Sequence, residues 1–180
     1  RGAVLGSTLA NILDAAGHDV TREYYVNDAG SQMNAFYGSV YARYMQSFGE
    51  PVELPSNGYV GDYITALALE IVASDGNRFI EMDEAKAIKE IGDLGREKMI
   101  GVIGDDLSQI GVAFDVWFSE GSLFSEDEYD QTMSLLRGKN YLAEKDNALW
   151  FKASLLGDEK DHVVIRATGE STYFASDIAY

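Results

Sequence analysis

Apolar residues recur at steps of three and four over Val4, Leu5, Leu9, Ile12, Leu13 and Ala16, and the pattern stops at Gly17. This period predicts a helix from Arg1 to Ala16 with its apolar stripe turned inward and Gly17 closing it. Gly2 and Gly6, one turn apart, suit close approach of that helix to a sheet. From Val20 to Val26 the period shortens to two, which predicts a strand. Asn27-Asp28-Ala29-Gly30 ends it with residues that favour turns. Ser31 then opens a second helix, whose stripe Met33, Phe36, Tyr37, Val40, Tyr41, Tyr44, Met45 and Phe48 runs to Gly49. Helix, strand, polar turn, helix is half of an open α/β layer. Ligands in such sheets bind at the carboxyl ends of strands, beside helix N-termini. Asn27 and Asp28 occupy that position.

Pro51 and Pro55 mark an extended connection to a third helix, expected from about Tyr59 with Val60, Tyr63, Ile64, Leu67, Ala68, Ile71 and Val72 inside and Asp75-Gly76-Asn77 at its end. Asp83 is expected to open a short helix. A separate, longer one holds Met99, Ile100, Ile103, Leu107 and Ile110. Glu90, Asp93, Arg96 and Glu97 read as solvated faces without function. The period returns to two at Phe114, Val116 and Phe118, a second strand that ends at Glu120-Gly121. Ser125 with Glu128 predicts a capping box for a helix running to Gly138. The stretches YLAE, ALWFKAS and HVVIRAT predict an antiparallel meander, with turns around Asn147 and Gly157. Lys152, His162 and Arg166 are expected there as cross-strand partners of acids. The segment STYFASDIAY predicts a short strand turning into a helix.

Composition narrows the function classes. The 180 residues carry 30 acidic against 14 basic side chains, a formal charge of −16. Such a surface repels phosphate backbones, so the chain is expected to bind nucleic acid weakly. Most of these carboxylates serve solubility, and a smaller set is left to select a cationic ligand. The absence of cysteine removes disulfides and thiolate metal sites, and His18 and His162 alone make no histidine-rich site. His18, beside the helix-closing glycine, is read as structural. No apolar run approaches the roughly 20 residues needed to span a bilayer. These features fit a cytoplasmic enzyme domain with no metal site of its own.

Three stretches, in order along the chain, carry a resemblance to a known family. RGAVLGSTLANILDAAGHDVTREYYVNDAGSQ resembles the segment that follows the HxGH signature of bacterial arginyl-tRNA synthetases. FDVWFSEGSLF and RATGESTYFASDIAY resemble later stretches of the same catalytic domain. The resemblance implies an α/β chain: part of a class I Rossmann-like nucleotide-binding fold with an inserted α+β connective segment. It implies that residues 1–120 form the first half of the catalytic domain with a helical middle, 121–170 the insertion, and 171–180 the start of the second half. It also implies the activity: joining arginine to ATP with release of pyrophosphate, then passing the arginyl group to tRNA, with Mg²⁺ expected in the full enzyme.

Site residues follow the matched motifs. Tyr173 and Asp177 match the family's Tyr-x-x-x-Asp pair, and Glu120 its acidic residue, which together hold the arginine guanidinium. The chemistry agrees, because a planar cation with five donors suits carboxylates that accept paired hydrogen bonds. On a helix, residues four apart share a face. By the residues alone Asp177 also reads as a helix N-terminal acid. Asp28, Gly30 and Gln32 match an Asp-x-Gly-x-Gln run lining the substrate cleft, and Asp28 alternatively reads as a helix cap. Some family members carry Asn at the position of Tyr24. Asn27 or backbone amides are expected to take over its contact with the substrate's carboxylate or amino group.

The HxGH signature is expected ahead of Arg1 and the KMSKS-like loop beyond Tyr180, so no catalytic residue is assigned between them. On that reading the chain is a piece of the catalytic domain, inactive when isolated, with tRNA-binding surface elsewhere. The alternative is a non-enzymatic amino-acid-binding or regulatory module derived from a synthetase.

Overall fold

A computed structural model describes residues 1–180, and its contacts divide the chain into two compact units. The first comprises 1–23 and 28–116, the second 24–27 and 117–180.

Unit 1 is helical: α1 (Gly2–Ala15), α2 (Ser31–Ser47), α3 (Asp62–Asp75) and α4 (Glu84–Gln109). α2 packs against both α3 and α4. The predicted stripe of α2 supplies the centre of the core, where Phe36, Val40, Tyr41, Tyr44 and Met45 meet Ile64, Leu67 and Ile71 of α3 and Ile91 of α4. Close approach of α4 depends on glycine: the buried Gly92 lies under the ring of Tyr37, and Gly95 lies against Leu67 and Val40.

Three expectations change in this unit. α4 is one helix of 26 residues, capped by Asp83, whose carboxylate accepts from the Lys86 amide at 3.1 Å. The short helix expected at Asp83 and the longer one expected around Met99 are therefore one element. α3 begins at Asp62 rather than near Tyr59, because Gly61 holds extended backbone. The stripe of α1 is uncovered within this chain, with Leu5 73% and Ile12 60% exposed, and Gly2 and Gly6 face open space. Gly17 does close α1, at φ +89°.

Unit 2 is mixed. β1 (Glu23–Val26) pairs with β2 (Val116–Ser119). Tyr24 stacks on Trp117 and Tyr25 meets Phe118, so the contacts advance together along both strands and the two run parallel. α5 (Glu120–Ser125), α6 (Glu128–Gly138), β3 (Leu142–Lys145), β4 (Ala148–Phe151), β5 (His162–Ile165) and α7 (Tyr173–Ala179) follow. β3, β4 and β5 form the expected antiparallel meander in that order. Asp146 and Asn147, both at positive φ, join β3 to β4 in a two-residue turn. The core gathers Leu123, Tyr129, Met133, Leu136, Phe151, Val164 and Ala175.

α5 had no counterpart in the periodicity, being a six-residue helix too short to show one. The predicted capping box is absent. Ser125 Oγ bonds to the Ser122 carbonyl, and Asp127, in left-handed backbone, precedes α6. The basic groups of the meander find local partners instead of cross-strand ones: His162 pairs with Asp158 at 2.9 Å and Arg166 with Glu170 at 3.7 Å. No helix of the chain is long and apolar enough to cross a membrane.

Candidate functional site

In unit 2 the site is built around a buried carboxylate. Glu120 directly follows β2 and opens α5, and only 4% of it is exposed. Its Oε2 has no hydrogen-bond partner. Burying an ionised carboxylate with an acceptor left open is costly unless a cation or donor answers it, so this atom marks a place for a positively charged or N–H-rich ligand.

Tyr25 lies on β1, which pairs with β2 just ahead of Glu120. Alternation along β1 turns Tyr24 towards Trp117, at 4.6 Å between ring centroids, and Tyr25 to the other face. There the Tyr25 ring meets Tyr180 edge-on at 5.0 Å and Phe118 at 5.7 Å. Burial first, then the negative charges of Glu120 and Asp177, push the Tyr25 hydroxyl up to about 12. It therefore stays a neutral donor at any ordinary pH. Asp177 is exposed on α7, and α5, which Glu120 opens, packs against α7. Tyr173 opens α7 one turn before Asp177 and is 61% exposed, while Asn27, just past β1, is exposed. Glu120 and Asp177 thus both act on the hydroxyl of Tyr25, a residue that sequence reasoning missed. Tyr25 reads in the sequence as one more strand residue, and only the acidic surroundings of its hydroxyl distinguish it.

The other predicted residues lie in unit 1. Asp28 does not cap α2; Gly30 is the capping residue, at φ +82°, a conformation suited to glycine, and no side chain caps the helix. The Asp28 side chain is 3% exposed and accepts a hydrogen bond from Arg96 Nη1 at 2.9 Å. Arg96 also approaches Asp93 at 3.9 Å, and Asp93 accepts from the Tyr37 hydroxyl at 2.7 Å and from Lys89 at 2.6 Å. The face of α4 read as merely solvated therefore anchors the turn before α2. Gln32 is exposed on the first turn of α2. A recess of about 450 Å³ beside α4, lined by Arg78, Asp93, Arg96 and Ile100 among others, contains none of the predicted guanidinium residues.

Comparison with known proteins decides the family. The family model for tRNA synthetases class I (R), catalytic domain, matches residues 1–180. The chain belongs to the class I arginyl-tRNA synthetase family. An arginine–tRNA ligase of Dehalococcoides mccartyi is 51% identical over all 180 residues, and one of Carboxydothermus hydrogenoformans is 49% identical. The chain spans 32% of the length of each. A solved structure assigned as an arginyl-tRNA synthetase, from Campylobacter jejuni, superposes with a TM-score of 0.83 at 35% identity, covering 99% of this chain and 39% of that one. The Thermus thermophilus arginyl-tRNA synthetase shares the fold, with a TM-score of 0.58 at 21% identity, covering 97% of this chain and 31% of that one. The α/β class expected from the sequence is the class observed.

Proposed function

We propose that this chain is the arginine-selecting part of the catalytic domain of an arginine–tRNA ligase. In the intact enzyme the arginine carboxylate attacks the α-phosphorus of ATP and pyrophosphate leaves; the arginyl group of the adenylate then passes to a ribose hydroxyl of tRNA, releasing AMP. The observation that carries this reading is Glu120 Oε2, a buried acceptor without a partner in a chain of this family.

A guanidinium supplies what that atom lacks. Its planar fork reaches Glu120 with one N–H and a second carboxylate, Asp177, with others, and Tyr173 flanks it from the same helix face. Lysine offers a point charge in place of a fork, and citrulline no charge, so both are rejected. Sites built on paired polar groups discriminate by orders of magnitude, because a wrong ligand leaves buried groups unpaired. Asp28, Gly30 and Gln32 line the substrate cleft in this reading, with Asn27 or nearby amides at the amino-acid carboxylate or amino group. The residue range 121–170 is then the connective insertion. No three His, Asp or Glu side chains converge as metal ligands, so no step is assigned to Mg²⁺ here. The setting is the cytoplasm, which a chain without cysteine permits.

Asp177→Asn in the intact ligase tests the reading. Removing one charge of the pair should raise the arginine KM at least about tenfold, while the ATP KM moves little. Equal rises for both substrates would contradict the assignment of Asp177 to the guanidinium.

A further inference from the structure

We propose that Arg96 is a positioning residue of the substrate cleft, and that Asp28 serves that cleft as its anchor and not as a ligand. This rests on the reading that residues 27–32 border the bound amino acid. The Asp28 side chain is only 3% exposed, and its Oδ2 accepts from Arg96 Nη1 at 2.9 Å. Arg96 Nη2 lies 3.9 Å from Asp93 Oδ1. That oxygen accepts from the Tyr37 hydroxyl at 2.7 Å, while Lys89 donates to the other at 2.6 Å. The ring of Tyr37, on α2, lies over Gly92 of α4. All of these residues belong to unit 1.

A carboxylate withdrawn from solvent onto a guanidinium of its own chain is engaged there, which removes Asp28 from the substrate contacts. What the pair fixes is the backbone on both sides of it. Asn27 directly precedes Asp28, and Gly30, at φ +82°, turns the chain into α2. No side chain caps α2, so the hold on this turn comes from Asp28, just ahead of the helix. An arginine suits the task because its fork reaches two carboxylates at once, one on the turn and one on α4. A lysine offers a single point charge. Small displacements of groups that orient a substrate cost large factors in rate or affinity. The pair therefore acts on the amino-acid end of arginine, which Asn27 and the turn receive, and not on the guanidinium end assigned to Glu120 and Asp177. Arg96 touches no reacting atom; it acts through the turn.

Arg96→Gln in the intact arginine–tRNA ligase tests this, by pyrophosphate exchange with cognate tRNA present. The arginine KM should rise at least about tenfold with the ATP KM little changed. Butylguanidine, which keeps the guanidinium and lacks the amino and carboxylate groups, separates the two ends of the substrate. Its inhibition constant against arginine should be unchanged in Arg96→Gln, whereas Asp177→Asn should weaken arginine and butylguanidine together. Asp28→Asn should match Arg96→Gln, and the double variant should be no worse than the more impaired single one. Arg96→Lys should recover part of the loss. Should Arg96→Gln not fold, Arg96→Lys carries the same comparison of arginine with butylguanidine. If Asp177→Asn raises the arginine KM and Arg96→Gln does not, the positioning role is overturned while the pocket stands. If neither does, the arginine reading itself fails and the proposal with it. An Asp28→Asn loss far beyond that of Arg96→Gln makes Asp28 a substrate contact and overturns the proposal. So does an Arg96→Gln variant that weakens butylguanidine or ATP as much as arginine, or that melts early with normal KM values.

Discussion

Asp93 shows how a residue that reads as mere surface can belong to a network, through Arg96, that holds the turn before α2. Burial alone would favour its protonated form. Hydrogen bonds from Lys89 and Tyr37, with the charges of Lys89 and Arg96, outweigh that effect and hold its carboxyl below the ordinary value of 3.8. Its partner moves the other way: burial and the bond to Asp93 push the Tyr37 hydroxyl above its usual range. An acid with a depressed value binds fewer protons folded than unfolded as pH falls. Its stabilising contribution is thus complete above the ordinary carboxylate range and is lost as pH drops through the folded value. Asp93→Asn should therefore flatten the acid limb of stability below pH about 4. At neutral pH the loss should stay under about 1 kcal/mol, because the side chain is a third exposed and solvent screens it. Denaturant midpoints at neutral pH and at pH about 3 check this. Parallel pH curves for the two proteins would remove Asp93 from the account. At this scale the resemblance to the family made Glu120, Tyr173 and Asp177 candidates, but nothing in the sequence singled out Asp93 or Arg96. Their contacts reach partners as far as 68 positions away, as Asp28 and Arg96 are, and periodicity carries no such information.

Elements were legible wherever one face is buried and long enough to repeat. The aromatic stripe of α2, the meander β3–β5 and the glycine that closes α1 all follow from local rules. The break expected between Asp83 and Met99 does not exist, because a run of charges on one face of α4 hides the buried positions Ala87, Ile91, Gly92 and Gly95 on the other. Two of those four are glycines, which a hydrophobic count ignores. Gly92 nonetheless sets how close α4 comes to α2, for a methyl there would meet the ring of Tyr37. Helix propensity favours Gly92→Ala by about 1 kcal/mol, whereas overpacking a filled core costs about 1–3 kcal/mol. The ring is held at its hydroxyl by Asp93 at 2.7 Å and cannot simply swing aside. Packing should win, so Gly92→Ala should lower the denaturant midpoint. Gly101→Ala on the same helix, where an added methyl meets open space, should raise it slightly. A stabilising Gly92→Ala would mean that Tyr37 and its bond to Asp93 relax at no cost.

The whole chain contains two separate hydrophobic cores, one per unit, and the second unit borrows a strand segment, residues 24–27, from the middle of the first in sequence. That interleaving was not legible, since no composition shift or linker marks residues 23 and 28. It follows from β1 pairing with β2 across some ninety intervening positions. Two cores of this kind need not melt as one, and chains built from more than one compact unit commonly depart from two-state unfolding. The two units carry different probes. Trp117 and Trp150, the only tryptophans, are both in unit 2, whereas the two longest helices, α2 and α4, are both in unit 1. Tryptophan fluorescence therefore follows unit 2, and helical circular dichroism mainly unit 1. Ile91 is wholly buried in the first core, and Ile91→Ala should cost about 2–5 kcal/mol there. In the 180-residue chain the circular-dichroism midpoint should fall while the fluorescence midpoint stays. If both midpoints fall together by the same amount, the two cores form one cooperative structure and the division into separately melting units is wrong.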